Sequence, residues 1–140
     1  MSAAELLAAL IRRFEGLRLR AYLCPAGVPT IGFGSTGADV RLGQTWTAQE
    51  AEARMQAMAA VVLSGTQRLA PTAQTAGRQA ALADFSYNLG LTRLKGSTLR
   101  RRALKGDWPG VQIELAKWTR GGGRVLPGLV ARRKAEAALI

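Results

Sequence analysis

Histidine is absent from the 140 residues, cysteine occurs once, and only nine side chains are acidic. Without histidine the chain has no Ser-His-Asp triad, no Cys-His pair and no His-ligated metal site. A single cysteine rules out an intrachain disulfide and a cysteine-cluster metal site. Carboxylates, hydroxyls and one thiol are the chemical groups that remain. Long apolar runs are also lacking: the run that begins at Leu6 stops at Arg12-Arg13, and none approaches the roughly 18 residues of a membrane span. The opening Met1-Ser2-Ala3-Ala4-Glu5 carries an acid where a secretory signal needs a base, so no signal peptide is expected.

What is present is a core and an excess of positive charge. Hydrophobic residues make up 48% of the chain, ample for one compact unit or for two small lobes that share a helix. The formal net charge is +11 and it is lopsided. Residues 1–70 hold seven basic and five acidic side chains, whereas residues 71–140 hold thirteen and four. A field of this sign attracts polyanions, whether nucleic acid, anionic lipid or cell-wall polymer, and charge alone does not choose among them.

Ser2 and Glu5 have capping-box spacing, and Leu6, Leu7, Leu10, Ile11 and Phe14 share one helical face, which predicts a first helix from about residue 2 to Glu15. The period then changes. From Leu17 to Leu23 apolar residues alternate with Arg18, Arg20 and Tyr22, the mark of a half-buried strand. Pro25-Ala26-Gly27 supplies a turn, Val28 to Phe33 reads as the returning strand, and Asp39-Val40-Arg41 as a short third one. Thr47 and Glu50 repeat the capping spacing ahead of a second helix, weakened or kinked at Ser64-Gly65. Thr75 to Leu89 is apolar on most sides and ends at Gly90, as a buried helix would. Three shorter helices follow, Ser97 to Lys105, Asp107 to Trp118 and Pro127 or Gly128 to Leu139, with Gly121-Gly122-Gly123 as a flexible loop. The fold class is α+β, mainly α, with a small antiparallel hairpin and a cleft.

Glu15, eight residues, Cys24, five residues, Thr30, then Ile31-Gly32-Phe33-Gly34, resembles the signature of the phage lysozymes, the muramidases of glycoside hydrolase family 24. In that family the middle position is usually Asp and less often Cys. Ala81-Leu82-Ala83-Asp84-Phe85-Ser86-Tyr87-Asn88-Leu89-Gly90 resembles its central helix, and Lys117-Trp118 with Gly122 to Glu136 resembles its C-terminal block. The resemblance implies a single lysozyme-like domain over residues 1–140: a hairpin lobe at 1–46, a connecting helix at about 47–69 and a helical lobe at 70–140. It also implies an endolysin that cuts the β-1,4 bond between N-acetylmuramic acid and N-acetylglucosamine in peptidoglycan and needs neither a metal nor a cofactor. The protein would act as a monomer on glycan strands, its basic C-terminal half would lean on the anionic cell envelope, and no specific nucleic acid is expected. Synthesis in the host cytoplasm and passage through a hole made by another protein complete the expectation. The alternative is an inactive basic module that binds wall or nucleic acid.

On the same resemblance Glu15 is the general acid that protonates the leaving oxygen. Cys24 supplies the base, or negative charge beside the developing cation, or is only a small buried residue. An ordinary thiol, with a pKa near 8.5, is mostly neutral at pH 7, so a base role needs a field that lowers it. Thr30 would hold the attacking water. A separation of roughly 6.5–9.5 Å between the two groups would go with inversion, and roughly 5 Å with retention. Gly32 and Gly34 would let sugar approach the backbone, Tyr87 and Asn88 would form the far wall, and Arg132 or Arg133 would steady Glu15. Ser35 stands where the family often has His. Trp46, Trp108 and Trp118 read as core.

Overall fold

The computed structural model describes all 140 residues. Helix α1 (Ala3–Glu15) begins as its capping box requires, with Ser2 Oγ accepting the Glu5 N–H at 3.1 Å, and buries Leu7, Ala8, Leu10 and Ile11. It stops at Gly16, whose φ of +69° turns the chain sharply away. Strands β1 (Arg18–Leu23) and β2 (Pro29–Gly32) then form an antiparallel hairpin in which Tyr22 faces Thr30 and Leu23 faces Pro29.

The third piece of this small sheet is not Asp39-Val40-Arg41. That segment is a turn, closed by Gln44, whose Oε1 accepts the Arg41 N–H at 2.7 Å and whose Nε2 donates to the Asp39 carbonyl at 2.9 Å. With those backbone groups taken, residues 44–46 pair with β1 instead: Ala21 N–H donates to the Gln44 carbonyl and Trp46 N–H to the Leu19 carbonyl. The alternation in β1 does not become burial either. Ala21 is covered, but Leu19 and Leu23 stay 44% and 53% exposed. A ribbon whose own core is Ala21, Ile31 and Val40 with Trp46 beside them is too small to cover the flanking leucines.

Helix α2 (Ala48–Leu69) is capped by Thr47 and passes through Ser64-Gly65 without a break. Gly65 serves packing there, because a Cβ at that position would lie 2.6 Å from Leu91 Cδ1. Helix α3 (Ala76–Leu89) is buried from Ala80 to Ser86 and ends at Gly90. A short α4 (Leu91–Lys95), absent from the sequence reading, seats Leu91 on Gly65. Helix α5 (Thr98–Leu104) starts at the Ser97 cap. Helix α6 (Trp108–Leu115), capped by Asp107, ends before Trp118, which leaves the helix to pack edge-on against Phe85 at 5.2 Å.

Residues 120–125 are built rather than loose. Strands β3 (Arg120–Gly121) and β4 (Arg124–Val125) pair across Gly122-Gly123, both with positive φ, the pattern that a two-residue type I′ hairpin demands. Helix α7 (Pro127–Ala137) closes the chain with proline in its first turn.

Helix α3 is the shared wall of two cores. Its Ala80 and Ala83 meet α1, α2 and Phe33 on one side, while Leu82 and Phe85 meet Leu94, Leu99, Trp108, Val111 and Leu115 on the other. The opening helix therefore shares a core with α2 and α3, and the hairpin projects from its end. This arrangement sets Glu15 at the junction of hairpin and helices.

Candidate active site

Glu15 occupies the last turn of α1, just before the chain turns at Gly16, so its carboxyl projects where the hairpin leaves the helical body. Its side chain is 21% exposed. Oε1 accepts from Arg132 Nη1 of α7 at 2.8 Å. Oε2 has no donor and faces Gly34, where an added Cβ would stand 2.5 Å away. Glycine at 34, with φ at +75°, is therefore what lets the hairpin close over the carboxyl. One oxygen is anchored by Arg132 and the other, beneath Gly34, has no hydrogen-bond donor.

Arg132 is itself held from behind. Its Nε and Nη2 donate to Asp84 Oδ2 and Oδ1, each at 2.8 Å, in the two-pronged geometry that a guanidinium offers a carboxylate. Asp84 is fully buried on α3. Burial opposes the arginine's charge, but Asp84 and then Glu15 outweigh it and raise the Arg132 pKa, so the guanidinium stays charged. The chain Asp84–Arg132–Glu15 thus ties α3, α7 and α1 together at one carboxyl.

Below it lies a second buried pair. Arg133 Nη2 donates to Asn88 Oδ1 at 2.7 Å and lies 3.0 Å from Glu136 Oε1, although neither Glu136 oxygen receives a hydrogen bond of good geometry. Burial, followed by the nearby Asp84 carboxyl, pushes the Glu136 pKa well up. Asn88 therefore spends its amide oxygen on Arg133 rather than presenting it to the cleft.

Cys24 and Thr30 sit together at the distal end of the hairpin. Cys24 is half-exposed after β1, in the turn closed by Gly27 N–H to the Cys24 carbonyl at 2.8 Å. Its thiol pKa is lowered, chiefly by the Val28 N–H, with the Ala26 and Gly27 N–H groups adding to the effect against some desolvation. The cause lies chiefly in backbone amides of the turn and not in the nearby cations Arg18 and Arg20. Thr30 is buried on β2, its hydroxyl donating to the Val28 carbonyl at 2.9 Å with lone pairs left to accept.

Tyr87 fixes the loop that covers Glu15, its hydroxyl donating to the Phe33 carbonyl at 2.7 Å, and burial pushes its pKa up to about 12. Gly32 faces away from sugar: a Cβ there would meet the Trp46 ring at 3.1 Å, so the bare position is filled by the indole. Ser35 Oγ is buried without a hydrogen-bond partner beside a cavity of about 120 Å³, lined also by Gly34, Thr36, Arg54, Met58 and Tyr87.

Residues 12–136 match the phage lysozyme family. The chain belongs to the phage lysozyme family. An endolysin of Acyrthosiphon pisum secondary endosymbiont phage 1 is 39% identical over 136 residues, which cover 93% of this chain and 91% of the relative. An endolysin of Bacillus phage B103 is 37% identical over 93% of this chain, which spans half of that longer relative. Among solved structures, an endolysin from Escherichia coli O157:H7 phage FAHEc1 superposes with a TM-score of 0.87 at 30% identity, covering 99% of this chain and 92% of the other. The family match spans the acid at 15, the hairpin and the arginine at 132, and the shared fold is the mainly helical lysozyme-like one with its small sheet.

Asp84 and Glu136 were not singled out as functional in the sequence. A signal for Asp84 existed, since it is the only charge in the apolar run from Ala80 to Leu89, and an acid so placed must find a buried partner.

Proposed function

We infer that this phage lysozyme is a peptidoglycan-hydrolysing endolysin in which Glu15 delivers the proton. The observation that carries the assignment is the asymmetry of its carboxyl: Oε1 is clamped by Arg132, and Oε2 is free beneath Gly34. Proton transfer from Oε2 to the glycosidic oxygen lets the bond to N-acetylmuramic acid break as positive charge spreads over the ring. Arg132 keeps the carboxyl in place, and Asp84 keeps Arg132 in place.

The water that completes hydrolysis is accepted by the Thr30 hydroxyl on the opposite side of the sugar. Cys24, whose thiol ionises more readily than an ordinary one, takes the water's proton or balances the charge on the ring. Attack from that side inverts the anomeric centre, which NMR of the first-formed reducing sugar reads directly. Tyr87 and Gly34 shape the wall on the helical side. Asn88, its amide oxygen engaged by Arg133, has its amide nitrogen to offer a sugar.

The substrate is the glycan strand of peptidoglycan, met by a monomer whose basic C-terminal half is drawn to the anionic envelope. No helix is long and apolar enough to cross a membrane. Release through a hole opened by a separate membrane protein is the route that fits synthesis in the host cytoplasm. The test is clearing of permeabilised bacteria by the wild type and by Glu15→Gln: loss of clearing in a folded variant supports the assignment, and undiminished clearing rejects it.

A further inference from the structure

Between Asp84 and Asp107 the chain has six basic residues, Arg93, Lys95, Arg100, Arg101, Arg102 and Lys105, and no acidic one. Of these, Arg102 alone meets a carboxylate, Asp107 at 3.2 Å. Arg100 is committed to structure, its Nε donating to the Leu69 carbonyl at 2.8 Å and its Nη1 to the Lys95 carbonyl at 3.3 Å. It thereby fastens the end of α2 to the end of α4.

Those two helix ends frame an open concavity of about 240 Å³, lined by Gly65, Arg68, Leu69, Leu91, Thr92 and Lys95. Its walls are preformed, because Leu91 rests on the bare backbone of Gly65 and Arg100, outside the lining, ties the Leu69 and Lys95 carbonyls together. Its polar side chains, Arg68, Thr92 and Lys95, all carry donors, and none meets an acidic partner. Arg68 uses only Nη1, to Ser64 Oγ at 2.9 Å, and the Thr92 hydroxyl and Lys95 ammonium have no hydrogen-bond partner. Two cations and a hydroxyl around a concavity that contains no carboxylate match the charge and donor needs of one phosphate group.

We propose that the concavity between α2 and α4 is a phosphate-binding site, through which the enzyme holds phosphate-bearing polymers of the cell envelope while the cleft works on glycan. The proposal deepens the endolysin reading and rests on it for the source of the phosphate. Cations near helix C-termini also offset the helix dipole, a purely local role that the test separates.

The experiment titrates inorganic phosphate into the ¹⁵N-labelled full chain at constant ionic strength, beside Arg68→Gln/Lys95→Gln and each single variant. The proposal expects saturable amide shifts at Gly65, Thr92 and Lys95, and affinity at least tenfold weaker in the double variant. It further expects that variant to bind phosphate-bearing sacculi less, with unchanged turnover on sacculi stripped of phosphate polymers. Vesicles of anionic phospholipid should not reproduce the site-specific shifts. Diffuse, non-saturating shifts, wild-type affinity in the double variant, or a lowered melting temperature with phosphate binding intact would each overturn the site. Saturation by vesicles at the same amides would overturn its polymeric source. Glu15→Gln keeps the readouts distinct: it should bind phosphate like the wild type, and its failure to lose turnover would reject the endolysin reading and not the phosphate site.

Discussion

Arg132 lends two of its donors to Asp84 and a third to Glu15, so that a fully buried carboxylate on α3 determines where a partly exposed one on α1 can sit. Taking away one partner of a buried pair strands the other, at a typical cost of about 3–5 kcal/mol. Asp84→Ala should therefore lower stability by that order in chemical denaturation. Asp84→Asn keeps the shape but weakens the hold. It should fold, with kcat reduced more than KM is raised, because the proton donor is placed less well while the sugar-binding wall is unchanged.

Two glycines with similar backbone make a second, internally controlled prediction. Gly16 and Gly34 have φ of +69° and +75°, but a Cβ at Gly16 meets nothing within 4 Å whereas one at Gly34 collides with Glu15 Oε2. Each alanine substitution should cost about 1–2 kcal/mol for the left-handed backbone. Only Gly34→Ala should also lose activity, by about 10²-fold, since misplacing a reacting group by about 1 Å has that effect. Melting curves and turnover measured on both variants check this.

The thiol predicts a pH profile. If the thiolate is the working form, activity rises as pH passes through the Cys24 pKa, which lies below the ordinary thiol value. Cys24→Asp should keep activity and move that limb to more acidic pH, because a carboxylate ionises earlier. Complete alkylation of the wild type should abolish turnover. A profile that does not move in Cys24→Asp would assign the sulfur to packing.

Ser35 offers a change in the other direction. Its hydroxyl is buried without a partner, and an unsatisfied buried polar group costs about 1–3 kcal/mol. Ser35→Ala should leave stability unchanged or raise it by up to about 1 kcal/mol, with turnover intact. A loss of stability on thermal unfolding would reveal a bound water that the hydroxyl serves.

Local chemistry was readable from the chain in order. Ser2 and Thr47 cap the helices that their spacing to Glu5 and Glu50 suggested, and the hairpin follows from alternation broken at Pro25-Ala26-Gly27. What the sequence hid depends on partners far along it. Leu19 and Leu23 look core-bound until the small size of the sheet is known, and Gly65 looks like a break until Leu91 is seen resting on it. The triple glycine reads as slack because composition does not show that both central residues adopt the φ of a tight hairpin. At the site, Glu15 and Arg132 are 117 residues apart, and Asp84 enters only through the arginine it shares with them.

The most direct measurement is analysis of the ends released from purified sacculi by the wild type and by Glu15→Gln. A proton donor at Glu15 predicts new reducing ends of N-acetylmuramic acid from the wild type, and a rate about 10²–10⁴-fold lower from a variant that melts like the parent. Reducing ends of N-acetylglucosamine, released peptides, or ends produced by the variant at the parent's rate would contradict it.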